Sequence, residues 1–486
     1  MMGKMADRNT EATANNRRLT IIVFSLFFSW LLAVPFEGRA LYEITEYHGV
    51  PALSFVYFAM AAHFAGLIAC GIFVRNMRTA KKLILVSIAF CAAATGVLFF
   101  PPSILWSVAL CLASFLVGAC VAAWGYYFKG FTAKGSRIKT MADCLVSSNV
   151  LMIFLNMAAI HISPKIGLGL SILMLMLSFV AAIRLPGTET PGAQENQSAA
   201  KPGAVKVGVA GSLAFLCLFI VVITINSGLM YQVVNPAFSH LDWLTSWYWA
   251  LPYIAALFIM RNLSGKNSRS NILYFAIAML GLSFALFAML GNSWADYLVI
   301  DTLLLGACGV YDLFWWSILG DMLDHDRNPA KIIGIGLAAN VLGVFLGGLI
   351  GNAITASGSE QNHILLAFIV VCVTLILLPP LSVRLVKLLK THVYLTNMTA
   401  LAEMPEKEQT QLINKLNIAE ELTEQEHKVM LLLVQGKTYK AIANELSVTE
   451  STVNYHASNI YSKAGVAGKT ELANLVLNTL IPDQKP

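Results

Sequence analysis

The sequence predicts an all-α protein in two parts: a twelve-helix transmembrane bundle made of two six-helix halves, then a small four-helix domain at the C-terminus. Three observations predict it. Hydrophobic residues make up 57% of the 486 positions and charged residues 12%, about half the charged share of a soluble protein, so most of this chain needs lipid as its solvent. Apolar runs long enough to cross a bilayer recur as far as residue 383. From Leu422 onward those runs stop and short amphipathic segments with capping residues take over.

Residues 1–18 form a polar tail containing Lys4, Arg8, Arg17 and Arg18, and the apolar run behind it is long enough to stay as an anchor rather than be cleaved as a signal. The expected spans lie near 19–36, 50–74, 83–100, 103–128, 141–160 and 167–184 in the first half. Those of the second lie near 207–230, 243–260, 271–290, 297–319, 332–355 and 363–383. Pro101 and Pro102 set a tight turn between the third and fourth.

Basic residues alternate sharply from loop to loop. One set of loops holds Arg75, Arg78, Lys81 and Lys82; Lys129, Lys134, Arg137 and Lys139; Arg261, Lys266 and Arg269; and Arg327 and Lys331. The other set holds only Arg39 and Lys165. Basic loops stay inside, which predicts a multi-pass protein of the bacterial inner (plasma) membrane with both termini cytoplasmic. An even number of spans agrees with that.

Residues 185–206, rich in Pro, Gly, Ala and polar side chains, read as a cytoplasmic linker dividing first half 19–184 from second half 207–383. In each half the second span runs into a short basic loop, GIFVRNMRTAKK at 71–82 and FIMRNLSGKNSR at 258–269, as expected of repeated bundles. Over residues 19–383 the chain resembles the major facilitator superfamily of transporters. That superfamily's first such loop typically carries a Gly and an Asp ahead of its basic residues. Gly71 is present here and the Asp is not, a departure that bears on transport and not on the fold.

Arg384, Lys387 and Lys390 anchor the last span, and residues 384–421 read as a polar linker. In 422–486, Thr423 and Glu426 form a capping box that opens a helix burying Val429, Met430 and Leu433 and stopping at Gly436. A second helix runs from about Thr438 to Leu446, with Ile442 and Leu446 inward. A turn at Ser447-Val448 precedes Thr449, which caps a third helix. Val453, Ala457 and Ile460 face the core there, and Ser451, Asn454, Tyr455 and Ser458 face away. A fourth helix follows from about Thr470 to Leu480. Two short helices, a brief turn and a polar-faced third helix make a helix-turn-helix, whose outer face fits the major groove of B-DNA.

Residues 422–476 resemble the LuxR-type DNA-binding domain. The match includes Leu422, Thr423, Glu426, Val429, Leu432, Leu433, Gly436, Ile442, Ala443, Leu446, Val448, Thr452, Val453, His456, Ile460, Tyr461, Lys463, Gly465 and Val466. The resemblance implies binding of double-stranded promoter DNA as a homodimer. The expected DNA-binding residues are Lys437, Lys440 and Lys463 on phosphates and Asn454, Tyr455 and Ser458 at base edges, with Thr449, Ser451 and Thr452 at the helix start. His456 reads as packing. The chain has Asn454 where the family usually has Lys or Arg. From Leu422 to Pro486 six lysines offset six acidic residues, so one copy is expected to bind DNA weakly.

Within the spans, polar groups at depth cost about 2.5–3.5 kcal/mol each when charged, which makes them functional candidates. His63, Asn149, Asn156, Asn226, Asp301, Asp312 and Asn340 are the candidate ligand-binding residues, with Trp30, Trp124, Trp315 and Trp316 as cavity or interface aromatics. Hydrogen bonding between helices is the competing role for each of them. The eight cysteines lie in or near apolar runs without metal-ligand spacing, and no P-loop, zincin or nucleophile-elbow motif occurs, so no enzyme activity, cofactor or metal is expected. The expected function is a membrane-bound one-component regulator whose membrane domain senses a small-molecule effector or a membrane partner. The alternative is a transporter of the same superfamily with a fused regulatory domain.

Overall fold

The computed structural model describes residues 2–36, 38–188, 206–262, 266–326, 328–356, 422–435, 437–466 and 468–478, with isolated positions at 365–380 and 411–416. Every element among them is helical. They divide into two compact units, one containing 1–194 and 205–382 and the other 195–204 and 383–486.

In the membrane unit the first half comprises α1 (Met2–Ala33), α2 (Arg39–Tyr47), α3 (Leu53–Phe73), α4 (Met77–Val97), α5 (Ile104–Phe131), α6 (Arg137–His161) and α7 (Pro164–Ile183). The second comprises α8 (Lys206–Leu229), α9 (Ala250–Asn262), α10 (Lys266–Met289), α11 (Trp294–Met322) and α12 (Pro329–Ala356). Eleven segments among the described residues are long and apolar enough to cross a membrane. The span expected at 363–383 falls largely outside those residues, as does most of the 185–206 linker.

Local chemistry sets the ends of these helices. The Asn76 side chain accepts from Thr79 N to open α4, and Ser293 with Asp296 forms a full capping box at α11. Pro164 sits in the first turn of α7, where its missing N–H removes no bond.

Three segments differ from the expected pattern. The loop at 37–49 contains α2, a short amphipathic helix that buries Ala40, Leu41, Ile44 and Thr45. The helix expected at 207–230 runs on through a π turn at Met230–Val234 into Asn235–Ala237. Pro236 has no N–H to give to the preceding turn, which widens there. The span expected at 243–260 is broken into a turn of helix at Asp242–Thr245 and then α9, with Pro252 inside its first turn.

Small residues let helices approach closely where no hydrophobic effect drives them together. A Cβ on Gly343 of α12 would lie 2.5 Å from the Val221 carbonyl oxygen of α8, and one on Gly347 would lie 2.1 Å from the Ile225 oxygen. Only hydrogen fits at either position.

The end of the bundle that carries the basic loops joins the two halves through charge. Arg17 of α1 donates to Thr140 Oγ1 at 2.7 Å and to Asp143 Oδ2 at 3.3 Å, and Arg261 of α9 donates to Asp143 Oδ1 at 2.7 Å. Arg137, at the start of α6, is buried and grips Asp324 through two nitrogens at 2.7 and 3.0 Å while also donating to Gly320 O at 2.7 Å. Burial works against the Asp324 charge, but this fork and Lys134 hold its carboxyl below the ordinary range. Asn328 adds bonds to the Gly71 and Val74 carbonyls. At the opposite end the halves meet through Arg39 with Asp242, His161 with Ser246, and Tyr57 with Asn352.

The close approach at α8–α12 gives a direct test. G347A forces those helices apart and lowers thermal stability of the purified protein by about 1–3 kcal/mol. G169A, whose Cβ would enter open space, leaves it unchanged or slightly raised.

Candidate functional site

The C-terminal unit contains α13 (Glu424–Val434), α14 (Tyr439–Leu446), α15 (Glu450–Ala464) and α16 (Lys469–Asn478). Threonines open the first three. Thr423, Thr438 and Thr449 each accept from the backbone N–H three residues on, in Glu426, Ala441 and Thr452. Ser447 ends α14 in the left-handed region with φ of 55°, the sole positive φ at a non-glycine among the described residues. That single residue turns the chain from α14 into α15. Gly436, where the first helix was expected to stop, lies outside the described residues.

The core is continuous across the elements. Val429, Met430 and Leu433 of α13 meet Ile442 of α14, Val453, Ala457 and Ile460 of α15, and Leu472 and Val476 of α16, all fully or almost fully buried. With that stripe inward, Ser451, Asn454, Tyr455 and Ser458 project outward, and Tyr455 is 65% exposed. His456 is half-buried beside the core. A second tie between α14 and α15 joins the Tyr439 and Tyr461 hydroxyls at 3.1 Å.

The candidate lysines are placed differently from one another. Lys437 is paired with Glu445, and its own carbonyl accepts from Lys469 Nζ at 2.7 Å; burial pushes the Lys469 pKa down. Lys463 donates to Glu426 Oε2 at 2.7 Å. Lys440 is exposed and, among the described lysines of this domain, the one with no acceptor on the protein. Thr449 and Thr452 share a hydroxyl contact of 2.8 Å at the start of α15.

Glu426 is the residue whose role local spacing only half reveals. Its Oε2 accepts from Thr423 N at 2.8 Å, Thr423 Oγ1 at 3.0 Å and Lys463 Nζ, so one buried carboxylate both caps α13 and holds the end of α15. Burial would raise its pKa, but the Lys463 hydrogen bond and the two from Thr423 outweigh it and lower it from 4.5 to about 2.

Polar candidates within the spans are scattered over five helices. His63 is buried with Nδ1 3.3 Å from Ser114 O, its ring edge-on to Phe36. Asn149 donates to Leu145 O within its own helix, at 2.8 Å. Asn156 and Asn226 are buried with Oδ1 atoms that lack partners, and buried Asp301 has an unpartnered Oδ2. Asn340 is half-buried, and its carbonyl accepts from Thr224. Asp312 accepts from Tyr253 of α9 at 3.0 Å and from Trp315 Nε1 at 3.1 Å. Next to it on α11, the Tyr311 hydroxyl meets Ser227 of α8 at 3.1 Å and the Cys308 sulfur. The structure therefore joins α9 to α11 at Asp312 and α8 to α11 at the adjacent Tyr311, and leaves His63 and Asn149 in separate packing roles.

Residues 420–476 match the family described as bacterial regulatory proteins, luxR family. The chain is similar to the spore germination protein GerE of Bacillus subtilis, 50% identical over 50 residues, which are 10% of this chain and 68% of that one. It is also similar to the transcriptional regulatory protein LiaR of the same organism, 43% identical over 54 residues, 11% of this chain and 26% of that one. Among solved structures the membrane unit is similar to the human organic anion transporter MFSD10 (TETRAN), with TM-score 0.58 and 13% identity over 76% of this chain and 99% of that one. A bacterial homologue of the iron transporter ferroportin, outward-facing with soaked iron, gives TM-score 0.55 and 13% identity, again over 76% and 99%. At that identity the likeness concerns the fold alone, which is the major facilitator arrangement.

The sign of the Glu426 effect is fixed by its depressed pKa. Its stabilisation is fully present above the unfolded value near 4.5 and is lost as pH falls through about 2. Chemical denaturation of a 411–486 fragment therefore shows stability declining between those limits, and E426Q flattens the decline while lowering stability at pH 7. S447G relieves the left-handed turn and raises the unfolding free energy by about 0.5–1 kcal/mol, read as a higher denaturation midpoint.

Proposed function

This chain belongs to the luxR family of bacterial regulatory proteins and is a membrane-bound transcriptional regulator, and we propose that it works as a one-component sensor. The observation that carries the reading is the outward polar face of α15, with Ser451, Asn454, Tyr455 and Ser458 free of the core, in the same chain as eleven candidate spans.

In this reading the protein sits in the bacterial inner membrane with both termini in the cytoplasm, because the loops rich in Lys and Arg gather at one end. The helix-turn-helix binds double-stranded promoter DNA. Asn454, Tyr455 and Ser458 address base edges, while Lys440, Thr449, Ser451 and Thr452 address the backbone around the start of α15. Lys437 and Lys463 already hold carboxylates, so they add to phosphate binding only by sharing their protons between two acceptors. With the domain's charges in balance, a homodimer supplies the second set of contacts that one copy lacks.

Input comes from the membrane domain. A small-molecule effector that binds one arrangement of the two halves better than another shifts their populations. The charge links at the basic end, Arg17–Asp143–Arg261 and Arg137–Asp324, are the interactions that such a shift makes or breaks. Their state then alters the pairing or availability of the DNA-binding domains. The relatives' named roles in regulation support this reading over catalysis, and no enzymatic step is assigned. The departure at the 71–82 loop and the regulatory tail favour sensing over transport.

Promoter binding by the full chain in lipid nanodiscs tests the proposal. N454A costs about 1–3 kcal/mol on the preferred sequence and relaxes that preference, whereas K440A weakens binding to all sequences and lowers the salt slope by about 1 per copy. A full chain showing no preference for any genomic fragment at low ionic strength would reject the assignment.

A further inference from the structure

We propose that the membrane domain binds a small organic cation, a protonated amine on a flat apolar body, at Asp312 between α8, α9 and α11. This rests on the sensing reading above and names the class of effector.

Asp312 lies ten residues from the end of α11, about 15 Å into the span at 1.5 Å per residue. A carboxylate at that depth needs a proton or a cation beside it. Among the described residues none supplies one: neither Asp312 nor Asp301 makes an ion pair. What the protein supplies instead is orientation. Tyr253 donates to one oxygen and Trp315 to the other, which leaves each oxygen a free lone pair and fixes the plane of the carboxylate. Asp312 and Tyr253 are half-buried, so this face keeps some access, while Trp315 and Trp316 are buried behind it and stack at 5.1 Å.

Two further observations point to the same ligand. Asp301, buried with an unpartnered oxygen, stands eleven residues upstream on α11. Eleven residues are about three helical turns, so both carboxylates share one face, and that face attracts positive charge along its length. The π turn at Met230–Val234 continues α8 three residues beyond Ser227, which meets Tyr311 beside Asp312. Such widened turns recur at functional sites. An ammonium group fits this setting through hydrogen bonds to the free lone pairs of Asp312 and through attraction to nearby ring faces. An anion meets two uncompensated carboxylates and is repelled.

The test uses the purified full chain in nanodiscs and three probes of matched shape: 2-phenylethylamine, 2-phenylethanol and phenylacetate. Calorimetry is expected to show saturable binding of the amine alone. D312N lowers amine affinity at least about 30-fold and Y253F about three- to tenfold. Equal binding of the alcohol, retention of amine binding in D312N, or no binding of the amine would overturn the site. The comparison among probes is made on the unaltered protein, so it stands even where D312N fails to fold. Promoter affinity is measured on the same preparations. Lost amine binding with promoter binding intact removes this site alone; Asp312-dependent amine binding that leaves promoter affinity unchanged keeps the site and removes the sensing role.

Discussion

A bilayer interior offers no water to a peptide group or an ion, and that constraint orders the membrane unit. Backbone N–H and C=O groups find partners within their own helices, which is why every described element of this unit is helical. Charges are driven to the ends of the spans, where Arg17, Asp143 and Arg261, and Arg137 with Asp324, pair across the two halves. Because lipid tails are as apolar as leucine, helix contacts come from close fit, as at Gly343 and Gly347 against α8. The few ionisable groups left inside are conspicuous for the same reason.

Local features were readable from the chain, and long-range ones were not. The Thr423–Glu426 capping box, the Thr449 cap and the Val453–Ala457–Ile460 stripe are matters of spacing over three or four residues, and each is seen as expected. Helix α2 was hidden because nine residues of mixed polarity between two spans resemble an ordinary loop. The π turn was hidden because Pro236 marks a disturbance without saying how the helix absorbs it. Lys463 read as a free phosphate contact because its partner, Glu426, is 37 residues away. Likewise no periodicity in the sequence connects Arg137 with Asp324 at a separation of 187. In the membrane, residue type nominated seven polar positions, but only packing distinguishes Asp312, which bonds across to Tyr253 of α9, from Asn149, which bonds its own turn.

In the sensing reading, the links between the halves also bound the energetics of a switch. Moving a two-state equilibrium from 1:99 to 99:1 takes about 5.5 kcal/mol of preferential binding. Partly exposed ion pairs such as Arg261–Asp143 contribute little to that barrier, whereas the buried fork of Arg137 on Asp324 and Gly320 is costly to leave unpaired. Of these links, the Arg137 fork is the most costly to break.

The even balance of charge in the C-terminal domain matters most for a regulator that cannot leave its membrane. A freely diffusing repressor finds its operator by landing anywhere on the chromosome and sliding, which depends on unspecific adhesion to phosphate. A nearly neutral reader fixed to a surface has little adhesion, and its anchor prevents travel along the duplex. Bulk nucleic acid then does not sequester it, and each encounter waits for the locus to drift to the envelope. Where the target gene sits within the nucleoid thereby becomes part of its control.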